Sequence, residues 1–260
     1  MKSATARVAL FLLGYLLLLW LASIPKGMAP PRYADLTWGV TASIAILAMT
    51  LAFLRYEDRQ PRDVGLGMRA DSVVRFAIGV MIGLLVYAAT LLSISVVVAP
   101  LDFALGGPPP AGTVLLLVCS LIALSTMEEL GFRGYALRTL TSAIGTWQAQ
   151  VVIAIAFGLS HIAFGWTWQT VLLGVVPSAL LFGAVALASG GLAMPIGLHA
   201  AVNFAQWAVG EKETPGYGTL AMDPAHAARA GAVAPLVGAC VPLLFSAAIW
   251  MWHARRRRIA

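Results

Sequence analysis

Long apolar runs separated by short polar stretches set the pattern of this chain. Eight of them lie at 8–24, 36–54, 76–98, 113–130, 148–166, 170–188, 192–209 and 233–252. A helix needs ~20 mostly apolar residues to cross a bilayer, and each run meets or approaches that length. The expected fold is therefore all-α: a polytopic membrane bundle of about eight transmembrane helices. It is read as one domain over 1–260, with its motif-bearing core at 113–209. Pro25, Pro30 and Pro31 are expected to break the first helix and form the first loop. Lys2 and Arg7 ahead of an apolar run ending in Leu21-Ala22-Ser23 also fit a signal peptide, but Val8 to Ile24 exceeds the ~7–15 residues of a secretory core. The pair 170–188 and 192–209 is joined so tightly that a count of eight spans turns on it.

The residues between the runs orient the bundle. Eight spans place both termini and the 55–75 loop on one side. That side collects thirteen Lys and Arg residues: Lys2, Arg7, Arg55, Arg59, Arg62, Arg69, Arg75, Arg133, Arg138 and Arg255 to Arg258. The other side has four, Lys26, Arg32, Lys212 and Arg229. Basic residues concentrate on the cytoplasmic side of membrane proteins, so both termini are expected there, in a bacterial cytoplasmic (cell inner) membrane. Gly106-Gly107-Pro108-Pro109-Pro110 and the stretch from Glu211 to Gly231 read as external loops.

Composition agrees with the pattern. Of 260 residues, 60% are hydrophobic and 11% charged, with mean hydropathy +0.86, against about 25% charged in a soluble domain. The net charge of +6 is spread between apolar runs and gathered at the tail. It reads as anchorage to anionic lipid, and no nucleic-acid partner is expected. Cys119 and Cys240 both fall within spans, where they define neither a disulfide framework nor a zinc pair.

Against that apolar background the polar side chains stand out. Glu128 and Glu129 close the fourth run, and Arg133 follows. Residues four apart share a helix face, so Glu129 is the expected ion-pair partner of Arg133. Glu128, five residues away and about 140° round the helix from Arg133, is left unpaired within its own helix. Phe157 shares a face with His161, beside Ser160; His199 shares one with Asn203. An ionisable group within a span is costly and commonly functional. An unpaired buried carboxylate suits a general base or acid. The candidate constellation is Glu128, His161, His199 and Asn203, converging from three helices on a cytoplasm-facing cavity. Each could instead be a polar contact between helices. Ser160 adjoins His161, but their side chains diverge by about 100° on a helix. Glu128, His161 and His199 also make a three-ligand zinc set with an open fourth position, although no His-Glu-x-x-His unit holds them.

Taken in order, Glu128-Glu129-x-x-x-Arg133-Gly134, Phe157-x-x-x-His161 and His199-x-x-x-Asn203 resemble the CAAX protease and bacteriocin-processing family of intramembrane endopeptidases. The approach Ser189-Gly190-Gly191-Leu192 and the run Pro195 to Phe204 are similar to it as well, with Ser189-Gly190 where the family often has Thr-Gly. The resemblance covers about residues 128 to 204. It implies an eight-helix protease acting on a membrane-anchored peptide or protein in the lipid bilayer. Glu128 would activate water, His161 would help position it, and His199 with Asn203 would stabilise the oxyanion. Glu129, Arg133 and Phe157 would support the site. The resemblance admits a metal-free glutamate mechanism, the one favoured here, and a zinc-dependent one using Glu128, His161 and His199. Two other functions compete. A non-proteolytic immunity or regulatory protein on the same fold would have no need of the base. A proton-coupled transporter would be expected to show repeats and broken helices, and neither is evident.

Overall fold

A computed structural model describes residues 3–259 except 68, 69, 213 and 215, and the side chains as far as residue 255. Of the basic residues that orient the chain, Lys2, Arg69 and the side chains of Arg256 to Arg258 lie outside the described residues.

The apolar runs become helices: α1 (Ala4–Met28), α2 (Ala34–Tyr56), α3 (Ser72–Val97), α4 (Ala111–Glu129), α5 (Leu137–Ile144), α6 (Thr146–Ala163), α7 (Trp168–Thr170), α8 (Val176–Ser189), α9 (Ala193–Ala208) and α10 (Ala227–Ile259). Seven helical stretches among the described residues are long and apolar enough to cross a membrane, and the chain is an integral membrane protein. α9, with 16 residues, spans about 24 Å at 1.5 Å per residue. It falls short of a ~30 Å hydrocarbon core and takes the eighth place as a helix packed inside the bundle.

The surface is inverted relative to a soluble protein. On α1 the stripe Val8, Phe11, Tyr15, Leu19 and Ala22 faces inward at spacings of three or four, while Leu10, Leu13, Leu17 and Trp20 are exposed to the surroundings. Helix contacts then rest on small residues. A Cβ on Gly79 of α3 would stand 2.0 Å from Met194 O, and one on Gly83 would stand 2.5 Å from Leu198 O. α3 and α9 therefore meet backbone to backbone, which sets the height of α9 in the bundle.

Three boundaries differ from expectation. Pro25 does not end α1, which runs on to Met28; a proline one turn from the end disturbs only the last hydrogen bonds of a helix. α4 does not stop at residue 130. It passes through a π turn, Leu130–Ala136, whose Gly134 has the non-helical pair φ −76° and ψ −110°, and resumes as α5. A second π turn, Val171–Val175, joins α7 to α8. Gly190, in the left-handed region at φ 72°, lets the chain reverse from α8 into α9.

The external loops contribute a two-stranded antiparallel ribbon, β1 (Asp102–Leu105) with β2 (Gly218–Ala221), in which Asp102 faces Ala221 and Leu105 faces Gly218. Four residues per strand are too few to show an alternating pattern in sequence. The ribbon marks one end of the bundle. The start of α1, the α2–α3 connection, α5 and the end of α10 mark the other.

Candidate active site

The site is built on the last turn of α4. Glu129 is fully buried and its Oε1 accepts two hydrogen bonds, from Arg133 Nη1 at 3.1 Å and from His199 Nδ1 at 3.0 Å. Arg133, also with no exposure, donates from Nη2 to Ala179 O at 3.3 Å. Its guanidinium lies over the Phe157 ring at 4.3 Å and the Phe182 ring at 5.4 Å. A charge can be kept in so dry a place only when it is paired and hydrogen-bonded, and each of the two meets that condition through the other.

His199 reaches this pair from the middle of α9, with its ring stacked on Phe182 at 4.5 Å and 25°. A carboxylate oxygen only accepts, so the 3.0 Å contact fixes the hydrogen on Nδ1. The other nitrogen, Nε2, faces Glu128 Oε2 at 3.6 Å. That is too long for a hydrogen bond, and this buried oxygen of Glu128 has no other partner among the described residues. Glu128 and Glu129 are thus adjacent in sequence and different in environment: Glu129 is fully buried and held through Oε1 by two donors, its Oε2 without a partner among the described residues, whereas Glu128 is partly exposed and turns its Oε2 to an imidazole edge.

One turn beyond His199, Asn203 donates from Nδ2 to His199 O at 3.3 Å and accepts at Oδ1 from Lys212 Nζ at 3.0 Å. An ammonium only donates, so Lys212 fixes which way the Asn203 amide points. Lys212 comes from the loop after α9. Burial pushes its pKa below the ordinary lysine value, against the opposing pull of Glu211 and Glu128.

His161 occupies a different position. Its Nδ1 lies 2.9 Å from Phe157 O, a carbonyl that only accepts, so Nδ1 carries the hydrogen and Nε2 the lone pair. The ring stands edge-on to Phe157 at 4.6 Å and to Trp166 at 5.0 Å. Among the described contacts it forms no ion pair with either glutamate; Phe157, 6.3 Å from the His199 ring, links it to the cluster. Ser160 donates to Phe157 O at 2.7 Å. The His161 nitrogen nearest to Ser160 is the protonated one, so these two residues do not form a nucleophile–base pair.

A cavity of about 310 Å³ adjoins the cluster. Its wall includes Phe157, Trp166, Phe182, His199, Asn203 and Lys212. Of the four candidate catalytic residues His199 and Asn203 form the wall, and Glu128 meets it through His199. The cavity does not lie toward the termini as the sequence reading expected. Its wall uses Ile94 near the end of α3, Gln206 near the end of α9 and Gly238 early in α10, all toward the ribbon. The side facing the termini is filled by the π turn, buried from Leu130 to Ala136.

The proposed zinc set is not assembled. No three His, Cys, Asp or Glu side chains among the described residues group as metal ligands, and His161 stands apart with its Nδ1 turned to Phe157 O. The residues present do not fit a three-ligand zinc site.

Two residues of the site are not legible in the sequence: Lys212, which there only adds to the charge balance, and Phe182, one apolar residue in an apolar run. Neither carries a local signal that would separate it from its neighbours.

The fold and this cluster define a polytopic helical membrane protein with a buried acidic and imidazole site between its helices. Over residues 110–205 the chain matches the family model described as Rce1-like, type II CAAX prenyl endopeptidase Rce1-like, in agreement with the family that the motifs resemble. That range takes in α4 through most of α9, and with them Glu128, Glu129, Arg133, Phe157, His161, Phe182, His199 and Asn203. None of the curated proteins matches the chain.

Proposed function

We propose that the protein is an intramembrane endopeptidase that hydrolyses a peptide bond in a membrane-associated protein or peptide, using water activated by Glu128. The observation that carries this reading is the buried Glu128 Oε2, without a hydrogen-bond partner and 3.6 Å from His199 Nε2. A carboxylate held ready to accept is what a general base for water requires. Glu129 and Arg133 hold His199 in one orientation. With Nδ1–H given to Glu129, His199 can donate to a tetrahedral oxyanion only from Nε2, as the imidazolium. Asn203 has a second Nδ2 hydrogen for the same purpose, aimed by Lys212 at the opposite side of the amide. Preorganised donors of this kind are the main source of rate in acyl-transfer sites. His161, with its Nε2 lone pair free, assists in placing the water. The mechanism is proposed without metal because the donor set does not converge.

The test is cleavage of a membrane-anchored peptide by purified protein in lipid. Glu128→Gln is expected to abolish turnover while leaving the fold intact, and turnover retained in that variant refutes the mechanism. Activity that survives extensive chelation supports the metal-free reading; loss that zinc restores reverses it.

A further inference from the structure

We infer that the site is entered from the face of the membrane opposite the chain termini, and that its substrates are peptide segments presented on the non-cytoplasmic side. The substrate half of this inference rests on the endopeptidase reading; the direction of entry does not.

Helix direction carries the first step. α3 runs toward the ribbon, and the cavity touches it at Val86, Tyr87, Thr90, Leu91 and Ile94, all in its second half. α9 runs the same way, and the wall continues from Asn203 through Gln206 to Glu211 and Lys212 beyond its end. Trp166 of the α6–α7 connection and Thr170 at the end of α7, both exposed, form the rim on that side.

The opposite end is closed by layers. Leu130 to Leu137 are buried without exception. Outside them Glu57 pairs with Arg7 at 2.9 Å and with Arg59 at 3.2 Å. Arg59 also donates to Thr139 at 2.8 Å, and Tyr135 donates to Glu57. Arg138 spans from α5 to Ala186 O at 2.9 Å. A peptide coming from that end would have to displace the buried Glu129–Arg133 pair before reaching His199.

Charge supplies the second step. The closed end is the one on which basic residues gather: among the described side chains it holds Arg7, Arg55, Arg59, Arg62, Arg75, Arg138 and Arg255, against Lys26, Arg32, Lys212 and Arg229 at the other end. Arg133 proves to be buried within the bundle and counts toward neither end. The closed end is therefore cytoplasmic, and the open cavity faces outward. A volume of about 310 Å³ lies at the lower limit of ligand pockets, roughly 300–1,000 Å³. It suits a few residues around a scissile bond, with Val86, Leu181 and Val202 for apolar side chains and Lys212 as an ammonium in the wall. A lipid-modified tail on the cytoplasmic side would meet only the closed end.

The experiment uses the full chain in bacterial cells, with Cys119→Ser and Cys240→Ser removing the native thiols. Thr170→Cys, or Gln206→Cys should the first fail to accumulate, is expected to react with a membrane-impermeant maleimide in intact cells. Ser142→Cys, exposed on α5, is expected to react only after permeabilisation. The reverse pattern, or equal labelling of both positions in intact cells, overturns the direction of entry. New peptide termini in wild-type cells that are missing in Glu128→Gln cells are expected to map to outward-facing segments. Mapping to cytoplasmic segments overturns the substrate class. The absence of any difference in termini strikes the endopeptidase reading, while the labelling still decides the entry face.

Discussion

Arg133→Met exposes how the centre of this protein is held together. Arg133 and Glu129 both have zero exposure, so solvent screening does not weaken their pairing as it does for a surface pair. The methionine fills most of the arginine volume, so little of the effect comes from a cavity. What changes is that Glu129 Oε1 loses one of its two donors and keeps only His199 Nδ1–H. Breaking a buried pair by removing one partner costs about 3–5 kcal/mol, mostly because the other charge is left unpaired. For a chain of this size, at about 2–4 °C per kcal/mol, the melting temperature in detergent should fall by about 6–20 °C. Glu129→Gln combined with Arg133→Met removes both charges and should recover much of the loss, giving a coupling of about 0.5–3 kcal/mol. Thermal unfolding of the four proteins of the cycle measures it. A loss below ~1 kcal/mol in Arg133→Met, the range of an exposed ion pair, would refute the reasoning, as would a double variant no more stable than the single one.

Gly79→Leu forces a side chain into the 2.0 Å gap before Met194 O. It should cost at least the ~1–3 kcal/mol of core overpacking and displace α9, seen as earlier unfolding in detergent together with loss of turnover. Lys212→Met frees the Asn203 amide to turn. It should lower kcat by up to roughly a hundredfold, in the range of a lost oxyanion donor, with a smaller change in KM and partial rescue by Lys212→Arg. Because burial holds the Lys212 pKa below 10.5, the unfolded chain binds more protons than the folded one between that lowered value and 10.5. Stability should therefore rise with pH across that window, a slope that pH-dependent melting should find diminished in Lys212→Met.

Sequence periodicity made some of this visible and left the rest hidden for identifiable reasons. The pairing of Glu129 with Arg133 depends only on helix spacing, and it forms at 3.1 Å even though a π turn begins between them. The motifs also located His199 and Asn203 correctly on one face of one helix. Sequence did not show that the Nδ1 hydrogen of His199 goes to Glu129 rather than Glu128, because that depends on how α9 is set against α4. α9 is in turn set by the glycine contacts of α3. His161 reads in sequence as an equal member of the cluster, yet its Nδ1 turns back to its own helix at Phe157. The direction of the cavity was misjudged because the run after Glu129 looked like the end of a span. The chain instead continues as a buried plug, and only packing reveals which end of the bundle is filled.

The β1–β2 ribbon has a consequence at a distance from its own position. β1 leads into α4, which bears both glutamates, and β2 follows α9 and the loop carrying Lys212, so one pair of strands clasps the two arms of the site outside the membrane. A slip of one residue in their register would move the second arm by about 3.4 Å, more than the whole length of the 3.0 Å bond from Lys212 to Asn203. Gly218 guards against other registers: a Cβ there would lie 2.4 Å from Ala104 O, so the strands close only where the side chain is absent. The strand pairing acts as a gauge, and the reach of a buried ammonium is measured out by a few backbone hydrogen bonds at the water's edge.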